Sequence, residues 1–127
     1  MLCIRTIKRG SMSFIDKRKI TFEERVEIYK ALGNKTRLEI FEQILLNVDK
    51  SIHENRMMCI TDIAALFTYS MPTISAHVDI LRSAGLIKSY KEGKKIYIDV
   101  DIEKCKKIYE AFNTLILSYE EKKLKQI

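Results

Sequence analysis

From Thr21 onward the apolar residues recur at helical spacing. Val26, Tyr29 and Leu32 lie three apart and predict one face of a first helix. Ahead of them, Thr21-Phe22-Glu23-Glu24 has the form of a capping box, with Thr21 as N-cap and Glu24 reaching back. Gly33 closes that helix, and Asn34 is placed to cap a second. The apolar stripe of the second helix is Leu38, Phe41, Ile44 with Leu45, and Val48. Residues 49–57 are polar and read as a loop or a fraying helix end. Thr61 can cap a short third helix with Ile63, Ala64 and Phe67 facing inward. Ser70 caps a fourth, with Pro72 in the first turn, where a missing N–H does no harm. Its buried face is Ile74, Val78 and Leu81, and Gly85 ends it.

The period then changes. Ile87, Ser89 and Lys91 lead to Glu92-Gly93, after which Ile96, Ile98 and Val100 alternate, which predicts a β-hairpin with a glycine at its tip. From Asp101 the helical period returns. Ile102, Cys105, Tyr109, Phe112, Leu115 with Ile116, and Tyr119 form a wide stripe on a long last helix. Helix, helix, short helix, capped helix, hairpin, long helix is the order of a mainly α (α+β) fold: a winged helix-turn-helix with a two-stranded wing. The stripe on the last helix follows an already complete winged domain and is therefore expected to be a dimer seam.

Composition narrows the picture. The chain has 127 residues, enough for one domain. Only 4 Gly and 1 Pro exclude collagen-like and Pro/Gly-rich disordered chains. The net charge is +6, a mild pointer to polyanions. Residues 1–20 carry six basic and one acidic residue, so most of the surplus sits in a basic N-terminal arm ahead of a domain over residues 21–127. Arg9-Gly10-Ser11-Met12 resembles a protease-site remnant before a second start methionine, so residues 1–11 are expected to be vector-derived. Cys3, Cys59 and Cys105 are odd in number and far apart, which is no disulfide framework and suits a reducing compartment. The longest uncharged stretch, Ile63 to Val78, is too short and too polar to span a bilayer. No secretory signal is visible, and a cytoplasmic protein without a membrane partner is expected.

The turn Thr68-Tyr69-Ser70 is short enough to set two helices at a steep angle. The solvent face of the fourth helix carries Pro72, Thr73, Ser75, Ala76 and His77. Short side chains let a helix backbone approach base edges in the major groove. The helix N-terminus at Ser70 suits a phosphate. The hairpin holds Lys88, Lys91, Lys94 and Lys95 against a lone Glu92, a cationic tip suited to phosphate or minor-groove contact.

Three blocks then acquire a family likeness. Residues 29–40 (YKALGNKTRLEI), Asp62-Ile63-Ala64 with residues 73–78 (TISAHV), and residues 81–87 (LRSAGLI) with residues 92–97 (EGKKIY) follow in order. Together they resemble the ArsR/SmtB family of repressors over roughly residues 28 to 99. The resemblance implies a homodimer that binds a double-stranded DNA operator with an inverted repeat. The first and last helices would form the dimer interface, and an inducer would relieve repression. Asp79 stands where the family often has a basic or polar residue. It would accept from a cytosine, cap a neighbouring side chain, or point away from DNA, the last being the expectation.

Metal-sensing members often carry a cysteine pair at the start of the third helix. Here Cys59 matches the first thiolate and Thr61 replaces the second. Relatives complete such a site from the N-terminal arm, which makes Cys59, Cys3 and His53 the candidate ligands of a soft metal or metalloid ion. The alternative is that Cys59 is a small buried hydrophobe. Cys105 lies on the apolar stripe, where packing competes with thiol sensing. The rival readings are a winged-helix regulator without metal response (thiol/redox or constitutive) and a winged-helix protein-interaction module. No Gly-rich phosphate loop, nucleophile elbow or carboxylate–histidine constellation is present, so an enzyme is not expected.

Overall fold

The computed structural model describes residues 19–126. The basic arm, and with it Cys3, lies almost wholly outside the described residues. The element order is α1 (Phe22–Leu32), α2 (Lys35–Asn47), a 3-10 turn (Val48–Lys50), β1 (Met58–Cys59), α3 (Ile60–Ala64), α4 (Met71–Ser83), β2 (Ile87–Glu92), β3 (Lys95–Val100) and α5 (Ile102–Leu124).

Local chemistry fixes the boundaries. At α1 the Glu24 N–H donates to Thr21 Oγ1 at 3.0 Å, and the Thr21 N–H donates to Glu24 Oε1 at 2.9 Å, completing the capping box. At α2 the Arg37 N–H donates to Asn34 Oδ1. The side chain of Arg37 turns back, and its Nε donates to the Ala31 carbonyl at 2.7 Å. That bond satisfies a carbonyl left open by the end of α1. Gly85, at φ +84°, lets the Leu86 N–H reach the Leu81 carbonyl, a left-handed stop for α4.

The core is Ile28 and Ala31 of α1, Ile40, Phe41 and Ile44 of α2, Ile63 of α3, and Ile74, Val78 and Leu81 of α4. Met58, Leu86, Ile87 and Ile98 close it from the sheet side. The face of α4 is the one its spacing predicts. The face of α1 is not. Ile28 and Ala31 are buried, whereas Tyr29 is largely exposed and Val26 and Leu32 are only partly covered. Of the stripe expected for α2, Leu38 and Leu45 are likewise exposed, as is Val48 in the 3-10 turn, and Ile40 takes a place in the core.

The sheet has one more strand than the hairpin. It is antiparallel in the order β1-β3-β2, with Met58 opposite Ile98 and Cys59 opposite Tyr97. The hairpin pairs Ile87 with Val100 through Glu92 with Lys95. Gly93, at φ +64°, begins the two-residue tip, as a primed turn requires. Alternation puts Ile87, Ile98 and Val100 on one face of the sheet and Lys88, Tyr90 and Tyr97 on the other. No described helix is long and apolar enough to cross a membrane.

None of the 23 residues of α5 is buried. Tyr109, Phe112, Leu115 and Tyr119 are each more than half exposed. The start of α5 is tied to α1 by Lys104 Nζ, which meets Glu24 Oε2 at 2.9 Å. The Lys104 ammonium, together with the Thr21 N–H, holds the Glu24 carboxyl below its ordinary range.

Candidate functional site

α3 and α4 are separated by residues 65–70, and α4 stands free on its outer side. Its first turn is built from hydroxyls. The Thr73 N–H donates to Ser70 Oγ at 3.3 Å, and the two hydroxyls lie 2.9 Å apart. Ser70, Pro72 and Ala76 are exposed, and Thr73 and Ser75 are partly so. His77 sits deeper. Its Nδ1 is buried without a partner among the described residues. Burial, and secondarily the Arg37 guanidinium, hold the imidazole below its ordinary pKa. Asp79 pairs with Arg82 at 2.8 Å, one turn along α4, so it engages a neighbouring side chain.

The wing lysines are all exposed and do not share one surface. Lys91 stands on the sheet face of Ile96, Lys88 and Lys95 on the opposite face, and Lys94 in the tip. Lys88 reaches Asp101, the N-cap of α5, at 4.0 Å.

A second constellation lies where β1 runs directly into α3. Cys59 is at once the last residue of β1 and the N-cap of α3, the position assigned to Thr61 from the sequence. Its N–H donates to Asp62 Oδ2 at 3.2 Å, and its Sγ lies 2.9 Å from Thr61 Oγ1. His53 arrives from the loop 51–57, which is ordered by its own bonds. Ser51 Oγ donates to the Met57 carbonyl at 2.9 Å and accepts from the His53 N–H. His53 Nε2 lies 3.1 Å from Asp62 Oδ2. Burial pushes the Asp62 carboxyl up, but the Cys59 N–H, its thiol and His53 outweigh that and hold it below its ordinary range.

The imidazole, the thiol and the carboxylate offer one donor atom each, all within 4.8 Å of one another. Two of the three sequence candidates, His53 and Cys59, are thus brought together. Cys3 falls outside the described residues. Asp62 was not singled out from the sequence, although the spacing Cys59-x-x-Asp62 puts both on the first turn of one helix. One thiolate, one imidazole and one carboxylate suit a borderline divalent cation such as zinc, with a fourth position left for another donor. They do not suit As(III), which requires more thiolates. Cys105 is partly buried, and burial, with Asp101 adding to it, pushes its thiol up. That opposes formation of the reactive thiolate.

Comparison with known proteins adds to this geometry. A helix-turn-helix domain family matches residues 32–90. An uncharacterized HTH-type transcriptional regulator of Methanocaldococcus jannaschii is 34% identical over 94 residues, covering 74% of this chain and 97% of that protein. A cadmium resistance transcriptional regulatory protein CadC homolog of Staphylococcus aureus is 31% identical over 84 residues, 66% of this chain and 63% of that one. Among solved structures, an ArsR-like transcriptional regulator from Rhodococcus sp. RHA1 superposes with a TM-score of 0.66 at 18% identity, covering 82% of this chain and 90% of the other.

Proposed function

The chain belongs to the ArsR family of winged helix-turn-helix DNA-binding transcriptional regulators, a class of regulators and not of enzymes, and from there we propose that it is a homodimeric, cation-released repressor acting in the cytoplasm. The observation that carries this is the outer face of α4, capped by Ser70 and lined with short side chains, in a domain that also carries four exposed wing lysines. Thr73, Ser75, Ala76 and His77 read base edges, and the exposed Ser70 and Pro72 lie at the phosphate backbone. Lys88, Lys91, Lys94 and Lys95 neutralise phosphates on both sides of the wing.

The exposed row on α5 supports a second copy as its cover. From Ile102 to Tyr119 it runs roughly 26 Å along the helix, and a contiguous exposed apolar row of this kind marks an interaction surface. A two-fold dimer then sets two α4 helices into successive major grooves about 34–36 Å apart, on an inverted repeat.

His53, Cys59 and Asp62 hold the inducing cation. A bound cation would supply a cross-link between the loop 51–57 and the start of α3. This part of the reading draws support from the donor set and from the cadmium regulator among the relatives.

The test is a selection of genomic fragments by the purified protein, followed by titration of Zn(II), Cd(II) and As(III) into the complex. The expected result is an inverted repeat, released by Zn(II) or Cd(II) from wild type and not from Cys59→Ser. Recovery of no inverted repeat favours a protein-interaction module. Release by none of the three discards the cation and leaves a thiol-responsive or constitutive regulator.

A further inference from the structure

The cation cluster shares a wall with the wing. Tyr97 lies on β3, the central strand, opposite Cys59 on one side and Tyr90 on the other. Neither Tyr97 nor Cys59 belongs to the hydrophobic core cluster. Tyr97 is nevertheless only 7% exposed. His53 helps to cover it: the two rings meet edge to face, with centroids 5.1 Å apart and planes at 84°. The same two side chains, with Glu54, Asn55 and Glu92, line a cavity of about 480 Å³.

Resting on the reading of the cluster as the inducer site, we propose that Tyr97 is the positioning residue through which the state of His53 reaches the wing. Of the three donors, Cys59 is held by strand pairing and Asp62 by the first turn of α3. His53 is on a loop with neither helix nor strand, so its ring is the member able to turn. At present its Nε2 is engaged by Asp62. To share a cation, both residues give up that bond and the imidazole reorients. The same ring also meets the Tyr97 ring, so reorientation changes what supports the outer face of the central strand. The adjoining cavity gives the ring room, and its far wall is Glu92, next to the tip glycine. The wing lysines beyond it change their inclination to the domain, and their phosphate contacts weaken.

The experiment uses the full chain with Zn(II) as the probe and the variants Tyr97→Leu and Tyr97→Phe. Zinc affinity is measured by chelator competition, operator affinity with and without zinc, and amide hydrogen exchange over residues 88–96 without DNA. Tyr97→Leu is expected to keep zinc affinity and metal-free operator affinity within about threefold while losing about tenfold or more of the zinc-driven release. Tyr97→Phe, which keeps the ring, retains the release. In wild type, zinc alone changes exchange in the wing, and in Tyr97→Leu it does not. Equal release from Tyr97→Leu and wild type overturns the proposal while leaving the cluster intact as inducer site. If wild type binds no zinc, or Cys59→Ser responds unchanged, the cluster reading fails and the proposal falls with it. Should Tyr97→Leu not fold, the wild-type exchange measurement decides: a wing that does not respond to zinc overturns the proposal.

Discussion

α4 and α5 carry the same kind of pattern, an apolar stripe at helical spacing, and meet opposite fates. In α4, Ile74, Val78 and Leu81 are buried against α1, α2 and the sheet. In α5, the row through Tyr109, Phe112 and Leu115 is left more than half exposed by the described residues. Periodicity says which side of a helix is apolar, not whether its cover is the same molecule. α4 has completed its packing and has a polar face left to read with. α5 has its packing still to do.

Leu81→Ala should separate the two most strongly. It removes a fully buried side chain and is expected to cost about 2–5 kcal/mol, read as a urea midpoint shift that does not depend on protein concentration. Phe112→Glu should do the reverse. It is expected to weaken self-association about 100-fold, or ~3 kcal/mol, seen by sedimentation, while the far-ultraviolet spectrum of the monomer is unchanged. A monomeric wild type would remove the contrast. Ser70→Ala takes the cap from α4 and should cost about 1 kcal/mol, with operator affinity falling alongside if the same turn approaches the phosphates as proposed.

The smallest expected effect is at the clasp between α1 and α5. The Glu24 carboxyl is held low in the folded state, so its contribution is present near neutral pH. It is lost as the pH falls below the carboxylate's ordinary value towards the lowered one. The pair is partly in water, so its contribution is expected to be about 0.5 kcal/mol or less. Glu24→Gln should flatten the acid limb of the stability–pH curve by that amount.

What was legible in the sequence follows from the same contrast. α4 could be read because Ser70, Pro72 and Gly85 punctuate it and one of its faces carries short side chains. α1 misled because Val26, Ile28, Tyr29, Ala31 and Leu32 nearly encircle it, so two stripes fit and tertiary packing chose Ile28 and Ala31. β1 was invisible because two residues, Met58 and Cys59, have no period. They form a strand because β3 offers an open edge. The cation cluster was half legible. Cys59 and His53 were chosen for their chemistry, but a six-residue gap in a loop sets no distance. Asp62, also the N-cap partner of α3, entered only through the family likeness of Asp62-Ile63-Ala64.

The guanidinium of Arg37 has one more consequence. It caps α1 and lies near His77 at every pH the protein meets, since arginine does not lose its charge. Burial, with that charge beside it, holds the His77 imidazole below its ordinary range. Protonating it works against the folded state, so stability declines as the pH drops through that range. The bond that closes α1 thus also places a fixed positive charge near α4.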